Sequence, residues 1–121
     1  MKNTTISFLY RDASNYKFWY EETVQGAMTD DQIKAILATL DEGEYFIPLA
    51  VGFRCNYAEN CEPCEDDHPW CELGEGSFEL TNKEPTLQDV TCESLVLAFQ
   101  NASKNWAHYA EEAMVKFGMS A

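Results

Sequence analysis

Basic residues are scarce in this chain. Its 121 residues include eight Lys and Arg against 21 Asp and Glu, for a formal net charge of −13. Such a surface repels nucleic-acid phosphates and anionic lipid, so direct binding to nucleic acid or to a charged membrane is disfavoured. It suits a protein partner with a basic surface, and nucleic-acid-binding proteins are the commonest of those. The alternative is that the acidity only keeps the chain soluble.

Long hydrophobic runs and the signatures of common catalytic sites are also missing. Neither end resembles a signal peptide, and no apolar segment approaches the length of a membrane span, so we expect a cytoplasmic protein. The chain has no G-x-G-x-x-G, no Walker A loop, no G-x-S-x-G and no H-E-x-x-H. We therefore interpret it as a protein without enzymatic activity.

Cysteine, by contrast, is concentrated in one segment. Four of the five cysteines lie in CNYAENCEPCEDDHPWC, residues 55–71, together with one of the two histidines. A reducing cytoplasm disfavours disulfides, and five cysteines leave one unpaired in any disulfide scheme. Four soft ligands at the spacing C-x5-C-x2-C-x6-C favour zinc over calcium or magnesium. The segment is thus predicted to bind Zn²⁺.

We predict that the zinc ligands are four thiolates, those of Cys55, Cys61, Cys64 and Cys71. His68 is the alternative to Cys71, although a lone histidine is more often a structural donor than a ligand. With four protein ligands no coordination position is open, so the zinc is expected to be structural and to order a very polar loop. The competing interpretation is an acidic loop whose cysteines are incidental.

The fifth cysteine, Cys92, lies at the start of a predicted helix. A thiol in the first helical turn can have a lowered pKa, and a nucleophilic pair with His108 is conceivable. The two residues are 16 positions apart, which is about 24 Å along a continuous helix. A small buried thiol is therefore the favoured interpretation of Cys92.

Hydrophobic periodicity predicts an α+β fold that begins with a β-hairpin. Alternating apolar residues predict strands over residues 5–10 and 16–24, and Trp19 falls on the more polar face of the pair. There it covers a helix, joins an interface or lies half exposed. The pattern Thr29-Asp-Asp-Gln32 then begins an amphipathic helix that Gly43 can end.

The rest of the chain is predicted to complete a single domain over residues 1–121. Short strands over 68–73 and 77–81 would form a second small sheet region around the zinc loop. Residues 91–117 are predicted to be one long helix, or two helices with a bend near 103–105, that packs across the sheet. The order of the strands does not follow from the sequence.

Several segments resemble a group of small acidic proteins carried on mobile elements and prophages of Firmicutes. They are ISFLYRDASNYK, LDEGEYFIP followed by VGF, DHPWCEL and EPTLQDVTCESLVLAF, and the resemblance covers about residues 3–106. The chain looks like a type II-A anti-CRISPR protein, a class that inhibits Cas9. The resemblance implies a protein of the bacterial host cytoplasm that binds Cas9 or its guide-RNA complex stoichiometrically and blocks target DNA binding or loading.

The charge of the chain agrees with that implication. Cas9-type effectors hold nucleic acid in positively charged channels, and an acidic protein can occupy such a surface after electrostatic steering. DNA mimicry and occlusion of another Cas9 surface both remain open. The candidate contacts are Tyr57, Glu59, Glu62, Glu65, Asp66, Asp67 and Trp70.

Three other functions are weighed against this one. The chain could be a zinc-stabilised acidic module that bridges two other proteins, a small metalloenzyme, or a DNA mimic that inhibits a different DNA-binding host protein. A metalloenzyme requires an open ligand position and a nearby base. A DNA mimic would show salt-sensitive binding to basic proteins that DNA competes away.

Overall fold

The structure is a computed structural model that describes residues 2–11, 17–55 and 68–116. The strands are β1 (Asn3–Arg11), β2 (Lys17–Val24), β3 (Tyr45–Phe46), β4 (Cys71–Glu72) and β5 (Phe78–Thr81). The α-helices are α1 (Asp30–Leu37), α2 (Cys92–Ala102) and α3 (Trp106–Lys116), and short 3₁₀ turns cover Pro48–Val51, Glu75–Ser77 and Ser103–Asn105. The predicted α+β class is confirmed. Within the described ranges, no helix has the length and apolar character that crossing a membrane requires.

One antiparallel sheet is built around β1. Strand β2 pairs with β1 in a register that runs from Thr4–Val24 to Arg11–Lys17, which confirms the predicted hairpin. On the other side of β1 lie β4 and β5, and β3 pairs with β4. Among the described strands, β2 therefore lies at one edge of the sheet, and β3 and β5 lie at the other.

The sequence predicts a second small sheet region after the cysteine segment. The strands there instead join the same sheet as the hairpin. Strands β4 and β5 both pair with β1, through Leu9–Glu72 and through Ile6–Phe78 onward, so they follow the same edge in series. The 3₁₀ turn between them is closed by the Ser77 hydroxyl, which accepts a 3.0 Å hydrogen bond from the Gly74 N–H. Strand β4 is also shorter than predicted, because only Cys71–Glu72 joins the sheet.

The core lies on one face of the sheet, beneath α2. Alternation along β1 sends Ile6, Phe8 and Tyr10 to this face. Helix α2 adds Phe99, which packs with sheet and loop residues in an aromatic cluster whose ring centroids are 5.4–6.1 Å apart. The members of the cluster are Phe8, Phe46, Phe53 and Phe99. Burial of each such ring stabilises the fold by about 1.5–3 kcal/mol.

The helix boundaries follow local chemistry. Thr29 and Gln32 form the predicted capping box of α1, with hydrogen bonds of 3.2 and 2.9 Å between side chains and backbone. This helix ends at Leu37, earlier than Gly43 would have allowed. The predicted alternative of two C-terminal helices is confirmed, since the 3₁₀ turn at Ser103–Asn105 separates α2 from α3. The Trp106 indole then ties α3 to the end of α1 by donating to the Thr39 carbonyl at 2.8 Å.

Candidate metal centre and acidic groove

Two of the four predicted zinc ligands are described, and the fold brings them together. Cys55 follows the core residue Phe53, and Cys71 begins β4 opposite Phe46. Both side chains are buried, and their Sγ atoms are 3.9 Å apart. Two residues that are 16 positions apart in sequence thus converge at the edge of the core, at either end of the cysteine segment.

This sulfur–sulfur distance suits a tetrahedral metal site. Thiolates at about 2.3 Å from zinc are separated by about 3.8 Å along each edge of the tetrahedron. Burial, with the neighbouring Cys55 thiol and the charge of Glu72, holds the pKa of Cys71 well above its usual range. A divalent cation would favour the deprotonated form of such a buried thiol.

The remaining predicted site residues lie mostly outside the described part of the chain. Within that part, no third Cys, His, Asp or Glu joins the thiol pair in a group able to hold a metal ion. Cys61 and Cys64 fall in residues 56–67, which the structure does not describe. The same is true of the predicted partner contacts Tyr57, Glu59, Glu62, Glu65, Asp66 and Asp67, so among these contacts only Trp70 is placed.

His68 is engaged in the scaffold through both ring nitrogens. Its Nδ1 accepts a 3.2 Å hydrogen bond from the Trp70 N–H, so its Nε2 carries the proton and donates to the Arg11 carbonyl at 2.8 Å. The ring also packs against Tyr10, with centroids 5.3 Å apart. Because neither nitrogen offers a free lone pair in this arrangement, His68 serves here as a structural residue.

Cys92 belongs to a different environment from the Cys55–Cys71 pair. Its buried Sγ lies 3.4 and 3.5 Å from the Gly26 and Gln25 carbonyl oxygens. Burial raises the pKa of this thiol despite its place in the first turn of α2. His108 lies on α3, where its Nε2 is 3.0 Å from the Glu112 carboxylate. These contacts agree with a small buried thiol rather than with a nucleophile.

A buried carboxylate anchors the chain immediately before Cys55. Glu22 of β2 is 1% exposed and accepts hydrogen bonds from the Arg54 backbone N–H at 2.8 Å and from its guanidinium at 2.9 and 3.3 Å. The Thr86 hydroxyl donates a further bond of 2.8 Å. Burial alone would raise the pKa of Glu22, but the hydrogen bonds and charge of Arg54 and the bond from Thr86 leave that pKa lowered. This network fixes the point at which the cysteine segment leaves the core.

An open groove of about 310 Å³ lies beside the other end of the segment. Its lining residues are Asp41, Glu42, Tyr45, His68 and Trp70. Trp70 is half-buried and packs edge-to-face on Trp106, with ring centroids 6.4 Å apart. Rigid aromatic side chains next to exposed carboxylates are a common composition for protein-binding surfaces.

Negative charge is concentrated around this groove. The nearby charge of Glu44, together with partial burial and the charges of Glu72 and Glu42, raises the pKa of the Tyr45 hydroxyl. Of these acids, Glu72 forms an ion pair with Arg11 at 3.2 Å. Asp41, Glu42 and Glu44 are exposed. The groove therefore presents a negative potential to its surroundings.

The sequence indicated this acidic surface only in outline. Residues 41–93 contain 14 acidic residues against Arg54 and Lys83, but the candidate contacts were placed within the cysteine segment. The cluster Asp-Glu-Gly-Glu-Tyr at 41–45 was the available signal. Its proximity to Trp70 arises because β3 pairs with β4, a contact that local patterns do not reveal.

Comparisons with known proteins add no identification. No protein-family model, no curated protein and no solved structure matches this chain.

Proposed function

We propose that this chain is a non-enzymatic inhibitor that binds Cas9, or Cas9 loaded with guide RNA, in the cytoplasm of a bacterial host. It acts stoichiometrically, by occupying a basic surface and blocking the binding or loading of target DNA. Resemblance to small acidic proteins of mobile elements selects Cas9 among possible basic partners. The chain itself contacts neither nucleic acid nor membrane.

The observation that carries the proposal is the acidic groove beside Trp70. The exposed carboxylates of Glu44 and Glu42 lie close enough to Tyr45 to raise its pKa, so these charges act together at the groove. A Cas9-type effector offers the complementary surface, since its heteroduplex channel is positively charged. Tyr45 and Trp70 supply apolar contact area within the field, which electrostatic steering alone would lack.

A structural zinc ion, held by Cys55, Cys61, Cys64 and Cys71, is the second part of the proposal. The ion would crosslink the cysteine segment to the edge of the core, where Cys55 and Cys71 lie. The 3.9 Å separation of the first and last thiols supports this ligand set. The engagement of both His68 nitrogens supports it as well.

The deciding experiment measures target cleavage by several Cas9 orthologues with zinc-replete protein, alongside target-DNA binding by the guide-loaded enzymes. Inhibition at near-equimolar protein is the expected result. Loss of DNA binding would show that the inhibitor blocks target loading. Loss of cleavage with DNA binding intact would contradict a block of loading and would place the inhibition at the nuclease step. If no orthologue is inhibited, the Cas9 proposal is wrong.

A pair of charge-matched variants tests the role of the groove. The groove variant combines Asp41→Asn, Glu42→Gln and Glu44→Gln. The control combines Glu84→Gln, Glu93→Gln and Glu111→Gln, which removes the same charge from exposed positions on other elements. We expect the groove variant to weaken Cas9 binding by about tenfold or more and the control to weaken it much less. Equal losses would show that total charge, not the groove, drives binding.

Zinc is tested separately, by metal content and by counting thiols. We expect one zinc per chain, five reactive thiols after denaturation in chelator, and loss of zinc in Cys55→Ser, Cys64→Ser and Cys71→Ser variants. Cys92→Ser is the matched control and should keep its zinc. Fewer than five thiols would indicate a disulfide, and a metal-free protein with five thiols would refute the zinc site.

A further inference from the structure

The groove beside β3 combines aromatic walls with carboxylates. Tyr45, His68 and Trp70 line it together with Asp41 and Glu42. The three rings are half-buried, whereas both acids are exposed. The volume of about 310 Å³ lies at the lower end of the range for ligand-binding clefts, which begins at about 300 Å³. A cleft of this size suits the end of one side chain of a partner.

The ring of Trp70 is held in place by the core. It packs on Trp106 with ring centroids 6.4 Å apart, and the Trp106 indole N–H donates a 2.8 Å hydrogen bond to the Thr39 carbonyl. The backbone N–H of Trp70 donates to His68 Nδ1 at 3.2 Å. Because these contacts fix the aromatic wall before any ligand arrives, binding would require little rearrangement of it.

A tight turn places the carboxylates next to the rings. Asp41 and Tyr45 are an antiparallel pair that exchanges two backbone hydrogen bonds, of 2.8 and 3.0 Å. Side chains of residues directly opposite in such a pair lie on the same face, so the Asp41 carboxylate stands beside the Tyr45 ring. Between them Glu42 has a φ of 53°, a left-handed conformation that is uncommon for residues other than glycine.

We propose that this groove binds the guanidinium group of one arginine side chain of a partner protein. The flat cation stacks on the aromatic wall, while Asp41 and Glu42 accept its N–H groups. This site deepens the proposed function, and it rests on that function only for the identity of the partner. The net charge of −13 favours an approaching cation from any direction.

The aromatic wall selects arginine over lysine. A guanidinium is planar and weakly hydrated, so it can stack on a ring and still donate several hydrogen bonds in its plane. A lysine ammonium is a compact, strongly hydrated charge that has no flat face. His68 adds no opposing charge in this arrangement, because its Nδ1 accepts a hydrogen bond and its Nε2 donates to the Arg11 carbonyl.

The test is an NMR titration of the isotope-labelled full chain with the peptide acetyl-Gly-Arg-Gly-amide. Peptides with lysine or citrulline at the centre are the comparisons, since citrulline keeps the planar shape of arginine without its charge. We expect weak but saturable shifts of the Trp70 indole and of residues 41–45. The arginine peptide should bind about threefold more tightly than the lysine peptide, and the citrulline peptide should not saturate.

One pair of variants tests the aromatic wall. Trp70→Leu keeps an apolar side chain against Trp106 but removes the ring, and it should weaken arginine binding by about threefold or more. Trp19→Leu is the matched control, because Trp19 is 66% exposed on β2, at the opposite edge of the described sheet from β3. It should bind the arginine peptide as tightly as the wild type does.

A second pair tests the carboxylates and does not disturb the core. The variant D41N/E42Q changes two exposed side chains and should weaken arginine binding by about threefold or more. The control E84Q/E93Q removes the same charge from exposed positions on other segments and should weaken it much less. Equal losses in the two variants would overturn direct contact with Asp41 and Glu42.

Three other results would contradict the arginine site. They are shifts that do not saturate, shifts that arise away from the groove, and equal affinity for the arginine and lysine peptides. Cas9 inhibition reads the proposed function separately. Arginine binding without inhibition of any Cas9 would support the site and refute the inhibitor, whereas full inhibition by Trp70→Leu would overturn the site as the Cas9 contact.

Discussion

The two halves of β2 meet between two adjacent glutamates of opposite character. The side chain of Glu21 is 54% exposed and pairs with Lys83, whose side chain is 62% exposed. The side chain of Glu22, one residue later, is 1% exposed and receives hydrogen bonds from Arg54 and Thr86. The same residue type therefore serves the surface at one position and the interior at the next, because alternation along a strand sends them to opposite faces.

This difference shows what closes a sheet edge. Where the loop 86–92 and Arg54 lie against β2, backbone and side-chain groups are satisfied and the start of the cysteine segment is fixed. At the amino end of the strand, the side chains of Lys17 and Glu21 are exposed. Substitutions on the two sides should consequently differ in their effect on stability.

The largest effect is expected for Glu22→Gln. Each carboxylate oxygen accepts at least two hydrogen bonds, whereas a glutamine keeps one oxygen and turns an NH₂ group toward the remaining donors. Loss of charge-assisted hydrogen bonds at this buried position should lower the free energy of unfolding by about 2–3 kcal/mol. Urea unfolding followed by circular dichroism measures the change. An unaltered midpoint would mean that the network contributes nothing to stability.

Thr86→Val should have the next largest effect. The substitution keeps the shape of the side chain but removes the hydroxyl that donates to Glu22 and accepts from the Thr23 N–H. The expected loss is about 1–2 kcal/mol, since one donor and one acceptor lose their partner. In the double variant with Glu22→Gln the losses should be less than additive, because the two residues share a hydrogen bond. Strictly additive losses would show that the two residues stabilise the fold independently of each other.

Acid should remove the contribution of Glu22 selectively. The folded-state pKa of this residue is lowered, so its stabilisation is complete above its unfolded-state pKa of about 4.3 and is lost as the pH falls through the folded-state value. The difference in unfolding free energy between wild type and Glu22→Gln should therefore become smaller below about pH 4. Thermal unfolding of both proteins between neutral and acidic pH provides the comparison. A gap that stays constant would contradict the lowered pKa.

Glu21→Gln should have the smallest effect of the series. It is the same chemical change as Glu22→Gln at the neighbouring residue, but it breaks only an exposed ion pair. Such pairs contribute about 0–1 kcal/mol, so the unfolding free energy should change by less than about 0.5 kcal/mol. A loss comparable to that of Glu22→Gln would erase the distinction between the two halves of the strand.

Local patterns predicted much of the fold because they depend on neighbours in sequence. The β1–β2 hairpin, the Thr29–Gln32 capping box and the bend at 103–105 all follow from alternation, caps and helical spacing. By contrast, β4 and β5 were assigned to a separate sheet region, although both pair with β1. Those pairings join residues more than 60 positions apart, and a strand of two residues carries almost no pattern of its own.

The candidate site divides in the same way. The cysteine spacing indicated a metal-binding segment, and the sequence distinguished Cys92 from the other four. The burial of Glu22 was not predicted, because nothing near it in the sequence identifies its partners. Arg54 and Thr86 lie 32 and 64 positions away. The groove around Tyr45 was equally hidden, since it depends on β3 meeting β4.

By itself, the sequence determined the α+β class, the acidity, the concentration of cysteine in one segment and the existence of the first hairpin. These properties depend on composition and on periods of two to four residues. The tertiary structure alone decided that Cys55 and Cys71 face each other, that Glu22 is buried while Glu21 is exposed, and that Thr86 bonds to the carboxyl end of β2. Each of these depends on long-range contacts, which form only when the whole core excludes water.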